Sequence, residues 1–279
     1  MLWNKDKLFC DINPTCYAIS LQKEIYKRHL QDLLNKEKFA QDFQTEKLPN
    51  VVSHNASNMI KRAAGVNLDS QINKANNIDL ACKKINGILI RPGEVFSFWQ
   101  LVGRISEKKG YSKGRVIQKN KLVLGIGGGI CNLSNSIHLL IVHSPLEVTE
   151  FHTHSDALAP DEGKRTPLAA GTSVSYNNLD YRFKNNTDQL IQLLVWCEGE
   201  MLHAELRSER EFPWSYGIVE ENHHFKKEQN KYFRNSKIYK ETTDRTTGRV
   251  VSKDLIWDNH SEVMYDYSMI PEDQIKNEA

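Results

Sequence analysis

The sequence predicts an α+β fold, in which a mainly antiparallel sheet packs with a few helices. Helical periodicity is confined to a few segments, whereas the chain after residue 144 is dominated by short apolar runs separated by turn residues. The chain has 279 residues, of which 39% are hydrophobic, so it can bury a substantial core. We therefore expect a folded protein with three regions: a helical N-terminal region (1–70), a core domain (71–207) and a small β-rich C-terminal appendage (208–279).

The helices are predicted from apolar spacing and end residues. In residues 17–48, Leu and Ile recur at helical intervals among charged residues, which predicts one or two amphipathic helices that cap the main domain, or alternatively a helix that binds a partner. Residues 54–64 predict a short helix. Residues 75–87 predict a longer one, with Asn76 or Asn77 as its cap and Gly87 as its end. A further amphipathic helix is expected from Cys131 to about His143.

The strands are predicted from short apolar segments bounded by turns. Before the cysteine helix we expect a strand at 88–90, an apolar segment at 95–99 and a hairpin over 115–124. After it, the predicted strands are 146–151, 172–176, 179–183, 190–197 and 201–207. In the appendage we expect short antiparallel strands at 237–241, 248–252, 255–257 and 262–265, with residues 271–279 frayed.

Charge and cysteine content exclude several function classes. The net charge of +2 indicates no strong attraction to nucleic acid or to an anionic membrane. The five cysteines are scattered and form no Cys-x-x-Cys motif, so a zinc knuckle and a disulfide framework are both disfavoured. No apolar run reaches the length of a transmembrane segment and no signal peptide is visible, which predicts a cytoplasmic protein.

The most specific local feature is a run of three glycines, Gly127 to Gly129, followed after one residue by Cys131. Glycine permits positive φ and close approach of other groups, and a cysteine at a helix N-terminus is favoured as a thiolate by the helix dipole. The run therefore indicates a loop that presents a reactive thiol. The alternative is a tight loop beside an inert buried cysteine.

A second candidate feature is His152-Thr153-His154, followed closely by Asp156. On a strand, the two histidines point to the same side. They could pair with the cysteine as a base, or they could bind a metal together with a carboxylate and Cys131. They could also be solvated residues at a strand end. His138 shares a helix face with Cys131 but lies two turns away, so we expect it to be a packed or surface residue.

Several segments together resemble the VanW family. They are residues 91–99 (Arg-Pro-Gly-Glu-Val-Phe-Ser-Phe-Trp), Val102-Gly103, Gly110-Tyr111, Gly127 to Cys131 with Leu133-Ser134-Asn135, His154-Ser155 and residues 180–187. They follow the family's order and spacing over roughly residues 75–205, which identifies the core domain as VanW-like. The resemblance implies a role in peptidoglycan metabolism or in glycopeptide (vancomycin) resistance.

The resemblance also implies a chemistry, because some larger VanW-domain proteins are regarded as L,D-transpeptidases that form a cysteine thioester. Cys131 would then be the nucleophile and His154 the base, with help from His152 and Asp156, and the partner would be a peptidoglycan stem peptide or its precursor. Substrate binding and the oxyanion hole are expected at Gly127, Gly128, Gly129, Asn132 and Ser134. No cofactor and no metal is expected in this interpretation.

The chain departs from the family pattern at two places near this site. Asn132 stands where the family usually has Gln, and Gly171-Thr172-Ser173 replaces the usual Asp-Ala-Thr. The departures leave open a second interpretation, a non-catalytic accessory or binding module of the same pathway.

Overall fold

Antiparallel sheets packed with helices confirm the α+β prediction. The structure, a computed structural model, describes residues 8–60, 62, 67–118, 121–161, 165–168, 171–176 and 178–276. In this part of the chain, no helix combines the length and apolar character needed to cross a membrane.

The elements follow one another without a regular alternation of strand and helix. The helices are α1 (Pro14–Leu34), α2 (Leu68–Ile85), α3 (Phe98–Val102) and α4 (Ile130–Val142). The strands are β1 (Asn50–Asn58), β2 (Ile88–Ile90), β3 (Val95–Ser97), β4 (Lys113–Gln118), β5 (Lys121–Ile126), β6 (Glu147–Glu150), β7 (Arg182–Lys184), β8 (Ile191–Glu198), β9 (Met201–Ser208), β10 (Trp214–Glu228), β11 (Lys231–Asp244), β12 (Val250–Glu262) and β13 (Ile275–Lys276).

The strands of the described residues form four sheets. The central sheet has the order β1-β9-β8-β2, and a second sheet has the order β3-β7-β6. Strands β4 and β5 form a separate hairpin, and the C-terminal sheet has the order β12-β11-β10-β13. All pairs are antiparallel except β10 with β13.

The main hydrophobic core lies between the central sheet and helices α2 and α4. Helix α2 contributes Ile78 and Ile85, α4 contributes Leu133 and Ile137, and the facing sheet contributes residues such as Val195, all fully buried. Helix α4 thus begins directly beside the glycine run and ends against the sheet, so the core fixes the position of Cys131.

The helical N-terminal region is only partly helical. Helix α1 is present but starts before the predicted segment, because Asn13 accepts from the N–H of Cys16 and Pro14 lies in the first turn, and it ends at Leu34, so residues 35–48 are not helical. The predicted helix at 54–64 is wrong, because residues 54–58 belong to β1, which pairs with β9; residues 61, 63 and 64 lie outside the described residues.

Polar side chains explain how a strand occupies that segment. Ser53 donates to the Leu140 carbonyl at 3.0 Å, and Asn55 donates to the Ser136 carbonyl at 2.8 Å. The side chains of β1 that face α4 are therefore polar and form hydrogen bonds with it. Because these positions are not apolar, the sequence of β1 lacks the alternation of apolar and polar residues from which a strand is predicted.

The helix predicted at 75–87 and the strand at 88–90 are confirmed, as is the helix after the glycine run. Helix α2 begins earlier than expected, at Leu68, because Asn67 is its cap and accepts from the N–H of Ser70. The apolar segment at 95–99 divides at Ser97, whose hydroxyl accepts from the N–H of Gln100 and starts α3.

The strands predicted at 172–176 and 179–183 are largely wrong. Residues 171–176 make only isolated bridges, Thr172 with Thr153 and Ser175 with Leu179, and the strand that follows is the short β7. The Thr172 hydroxyl donates a 2.8 Å hydrogen bond to the side-chain oxygen of Asn135 in α4. The segment 171–176 therefore contacts α4 through Thr172 and is also paired with Thr153.

The antiparallel C-terminal appendage is confirmed, but its strands are three long ones of 15, 14 and 13 residues instead of several short ones. The long strands are joined by turns at 229–230 and 245–249, while the polar residues 258–260 lie within β12. Residues 271–276 are not frayed, because β13 pairs with Phe225 and Lys226 of β10; residues 277–279 lie outside the described residues.

Candidate functional site

The glycine run is packed tightly on two sides. Gly127 and Gly129 have φ of +82° and +101°, which other residues rarely adopt. A Cβ on Gly128 would overlap the backbone of Gly114 on β4, and one on Gly129 would overlap the side chain of Lys74 on α2. The glycines are therefore required by close packing as well as by backbone conformation.

The side chain of Asn77 in α2 forms hydrogen bonds that hold the glycine loop in place. Its side-chain amide donates to the carbonyls of Ser112 and Gly128 at 2.9 and 3.0 Å, and its oxygen accepts from the N–H of Ser112 at 2.8 Å. Asn77 is fully buried, so these bonds satisfy a polar group inside the core. The loop that leads to Cys131 is consequently fixed to both α2 and β4.

Cys131 lies in the first turn of α4, as the sequence predicted. Its Sγ lies 3.9 Å from the Val174 carbonyl oxygen, and the residue keeps only partial exposure. Burial raises the pKa of the Cys131 thiol, and the hydrogen bond to Val174 lowers it to a smaller extent. The direction is opposite to that expected from the helix dipole alone, and burial is its largest cause.

The other predicted residues of the loop make intrahelical contacts. Ser134 is fully buried and its hydroxyl donates to the Cys131 carbonyl at 3.0 Å. The N–H of Asn132 donates to the Gly129 carbonyl at 2.8 Å, and its side chain is partly exposed. Of the two side chains, that of Asn132 is the one with access to a bound molecule.

His152 and His154 lie on the segment after β6, next to residues 171–173. The N–H of His154 donates to the Gly171 carbonyl and the N–H of Ser173 donates to the His152 carbonyl, so Thr153 and Thr172 face each other as a pair. Thr172 points to α4. Alternation along the strand therefore directs the two histidines to the opposite side of this ladder from α4.

Contacts of the neighbouring side chains agree with this assignment. The ring of Phe151 stacks on His138 of α4, with centroids 4.2 Å apart, so Phe151 faces the helix, whereas Thr153 is exposed. His154 Nδ1 lies 2.7 Å from the Ser155 carbonyl and His152 Nε2 lies 2.8 Å from Glu150. Among the described residues, no hydrogen bond joins Cys131 to either histidine.

Burial lowers the pKa of the buried His138 and of the half-buried His154. It lowers the pKa of His154, with opposing contributions from Ser155 and Asp156, so the ring is neutral at neutral pH. His138 is a packed residue, one of the two outcomes expected for it, and burial lowers its pKa to about 3 while its Nδ1 lies 3.1 Å from the Tyr181 hydroxyl.

Glu150 is a residue that the motif search missed. Its carboxylate binds Arg28 of α1 through two hydrogen bonds of 2.6 and 2.8 Å and also contacts His152. Although burial raises it, hydrogen bonds from Arg28 and His152 lower the pKa of Glu150 to about 2. Glu150 lies in the strand predicted at 146–151, and the same alternation continued to residue 152 could have indicated that the two side chains share a face.

The alternative metal site does not form in the described residues, where no three His, Cys, Asp or Glu side chains gather closely enough to hold an ion. A cavity of about 400 Å³ lies away from Cys131, between β1, the end of α4 and the start of β10. Its walls include His54, Leu139 and Trp214.

The comparisons with known proteins place this geometry in a family. Residues 73–207 match the model of the family described as VanW like protein. The chain is 25% identical over 227 residues to the Vancomycin B-type resistance protein VanW of Enterococcus faecalis (strain ATCC 700802 / V583), covering 81% of this chain and 82% of that protein.

A second relative is the Uncharacterized protein YoaR of Bacillus subtilis (strain 168). It is 31% identical over 122 residues, which are 44% of this chain and 39% of YoaR. No solved structure matches the chain. The part of the chain that matches the family model includes the glycine run, Cys131 and both histidines. Residues 73–207 of this chain therefore belong to the VanW-like protein family.

Proposed function

We propose that the protein acts in peptidoglycan metabolism or glycopeptide resistance as a cysteine-dependent acyl transferase of the L,D-transpeptidase type. The observation that carries the proposal is the position of Cys131 in the first turn of α4, reached through a glycine loop that is fixed to α2 and β4. The resistance context comes from the name of the Enterococcus relative. The core domain, residues 71–207, would carry the chemistry.

The reaction has two steps. The Cys131 thiol loses its proton to a base, and the sulfur attacks a carbonyl carbon of a stem peptide, so that an amine leaves with a proton and a thioester remains. An amine of a second stem peptide, or water, then attacks the thioester and releases the thiol. Backbone N–H groups at the start of α4 and in the glycine run would stabilise the oxyanion, with the polar side chain of Asn132 at the rim.

The proposal requires movement around the cysteine. The Val174 carbonyl lies against Sγ, and His154, the proposed base, faces away from α4, with His152 beside it. Residues 171–174 must therefore shift before the thiol can meet both a substrate and an imidazole. A segment held by isolated bridges is better suited to such a shift than a strand inside a sheet.

The experiment is incubation with defined tetrapeptide and pentapeptide stem peptides, followed by intact-mass measurement. We expect an acyl adduct on the wild type and on Cys10→Ala, and none on Cys131→Ala. Substitution of His154 by Gln should slow formation of the adduct without abolishing peptide binding. If the wild type and Cys131→Ala give identical masses under all conditions, the enzymatic proposal fails.

A second candidate function is a non-catalytic accessory or binding module of the same pathway. The raised pKa of Cys131 and the hydrogen bonds of both histidines to other groups favour it. In this case stem peptides or their precursors bind with the same affinity to the wild type and to Cys131→Ala, and no adduct appears. Calorimetric titration of both proteins with the same peptides distinguishes the two functions.

A further inference from the structure

Residues 171–174 form a strap across the first two turns of α4. The hydroxyl of Thr172 donates to the side-chain oxygen of Asn135 at 2.8 Å, and two residues later the Val174 carbonyl lies 3.9 Å from Cys131 Sγ. Thr172 and Asn135 are 1% and 5% exposed, so their hydrogen bond is shielded from solvent. Asn135 lies one helical turn after Cys131, on the same side of α4. The strap therefore covers the cysteine and is attached to the helix beside it.

The other side of the strap faces residues 152–154 and is held by backbone hydrogen bonds. The N–H of His154 donates to the Gly171 carbonyl at 2.7 Å, and the N–H of Ser173 donates to the His152 carbonyl at 2.8 Å. Substitution of a side chain does not remove bonds of this kind, because every residue except proline carries both backbone groups. The attachment to α4 depends on a side chain, so a single substitution can loosen that side of the strap while the backbone ladder remains.

We propose that the hydrogen bond between Thr172 and Asn135 is a latch that controls access to the Cys131 thiol. In the closed state the strap keeps Val174 against Sγ, and in the open state Val174 is displaced and the thiol is exposed. Asn135 is then a positioning residue, because it acts on the cysteine through the strap. The inference rests on the proposed function for its role in acyl transfer, whereas the opening itself can be measured on the thiol without any substrate.

The size of the effect follows from the population of the open state. The strap is paired through isolated bridges, and a segment of this kind can open locally without unfolding of the whole domain. A thiol reagent labels Cys131 in the open state, so the labelling rate is proportional to the fraction of open molecules when opening and closing are fast. Loss of the Thr172 hydrogen bond should raise that fraction about two- to ten-fold.

The test compares Thr172→Val, which removes the hydroxyl and keeps the branched side chain, with Thr172→Ser, which keeps a hydroxyl. The full-length proteins are treated with iodoacetamide at mildly alkaline pH, and labelling of Cys131 and Cys82 is followed by peptide mapping. We expect Thr172→Val to label Cys131 about two- to ten-fold faster than the wild type, and Thr172→Ser to label it at close to the wild-type rate. Cys82, which is 2% exposed in the core, reports unfolding of the whole domain and should keep its wild-type rate in both variants.

Ser53→Ala is the matched control. The Ser53 hydroxyl also donates to α4, to the Leu140 carbonyl at 3.0 Å, but it does so from β1. Its loss should leave the labelling rate of Cys131 unchanged. The proposal is overturned if Thr172→Val labels Cys131 at the wild-type rate. It is also overturned if Thr172→Val accelerates Cys131 and Cys82 equally, since the hydroxyl would then stabilise the whole domain rather than the strap.

Failure of the latch and failure of acyl transfer give different results. If stem peptides form no adduct on any variant while Thr172→Val still labels Cys131 faster, the latch is supported and acyl transfer is not. If the wild type forms the adduct and Thr172→Val labels Cys131 no faster, acyl transfer is supported and the latch is wrong. When both are correct, Thr172→Val forms the adduct faster than Ser53→Ala does.

Discussion

Cys131 shows how two local influences on one thiol compete. The start of α4 favours the thiolate through the helix dipole, while burial beside Val174 favours the neutral thiol, and the net direction is a raised pKa. Reaction of the Cys131 thiol therefore depends on a movement that exposes it, such as displacement of Val174.

The reactivity of Cys131 tests that balance. We expect iodoacetamide to label Cys131 in the folded protein several-fold more slowly at pH 7 than in the urea-unfolded protein, because less thiolate is present. The rate should continue to rise at alkaline pH beyond the ordinary thiol range. The measurement is the labelling rate at this residue by peptide mapping between pH 6 and 10, and faster labelling of the folded protein at pH 7 would contradict the burial argument.

Gly128 tests whether the loop is fixed by packing. Gly128→Ala should destabilise the protein by about 2 kcal/mol, because the new methyl group overlaps the Gly114 backbone, which cannot rotate away as a side chain could. Gly217→Ala is the matched control, since its methyl group would have no atom within 4 Å. Urea unfolding of both variants measures the difference, and equal stabilities would show that the loop can relax.

At the scale of elements, helix α1 buries one apolar side chain, that of Ile25, and is otherwise held to the core by ion pairs. Arg28 binds Glu150, and Asp32 binds Arg182 at 2.5 and 2.9 Å, while most apolar residues of the helix are exposed. The pair formed by Arg28 and Glu150 links α1 to the candidate site, because Glu150 also contacts His152. The attachment of α1 should therefore depend on pH.

The acid dependence follows from Glu150, whose folded pKa of about 2 lies below its ordinary 4.5. Its contribution is present above the ordinary value and is lost as the pH falls from there towards 2. At pH 7 we expect Glu150→Gln to cost about 1–2 kcal/mol, allowing for partial exposure, and to cost almost nothing at pH 2. Urea unfolding from pH 7 to pH 2 measures this, with the exposed Glu37→Gln as the control that should follow the wild type throughout.

At the scale of the whole molecule, buried charges join the core domain to the C-terminal sheet. Arg165 binds Asp156 at 2.7 Å and Glu220 at 2.8 Å, and the fully buried Arg234 reaches Asp161 at 2.9 Å. The acidic and basic groups come from the segment after His154 and from the long strands. The position of that segment therefore depends on the appendage.

Loss of one partner should be costly at this junction. Arg165→Gln should destabilise the protein by about 3 kcal/mol, because the carboxylate of Glu220 remains buried without its arginine and that of Asp156 keeps only Arg234, at 3.4 Å. Arg210→Gln, whose pair with Asp188 is exposed, should change stability by less than about 0.5 kcal/mol. Thermal or urea unfolding compares the two, and similar effects would mean that water replaces Arg165.

The sequence was sufficient for the parts of the molecule that carry a local pattern. The apolar face of α2, the strand at 88–90 and the helix after the glycine run were all predictable from spacing and end residues. Strand β1 was not, because its polar side chains bind α4 and only tertiary contact makes them suitable for a strand.

The candidate site divides in the same way. A cysteine at the start of a helix could be predicted from Gly127 to Cys131, but its raised pKa depends on Val174, which is distant in sequence. The direction of His154 depends on which face of the ladder meets α4, and that was set by Thr172 and Asn135. Spacing alone predicts that the two histidines share one face of the strand, but it does not predict whether that face meets α4.

Strand β1 also has a consequence for the order of folding. It occupies an edge of the central sheet by pairing Asn50 with Ser208 and Asn58 with Met201, so its partner is the last strand of the core to be synthesised. Long-range pairing of this kind closes a large loop and slows folding. During synthesis, residues 50–58 therefore wait unpaired until β9 has left the ribosome, and the helix that carries Cys131 has no completed sheet to pack on before that moment.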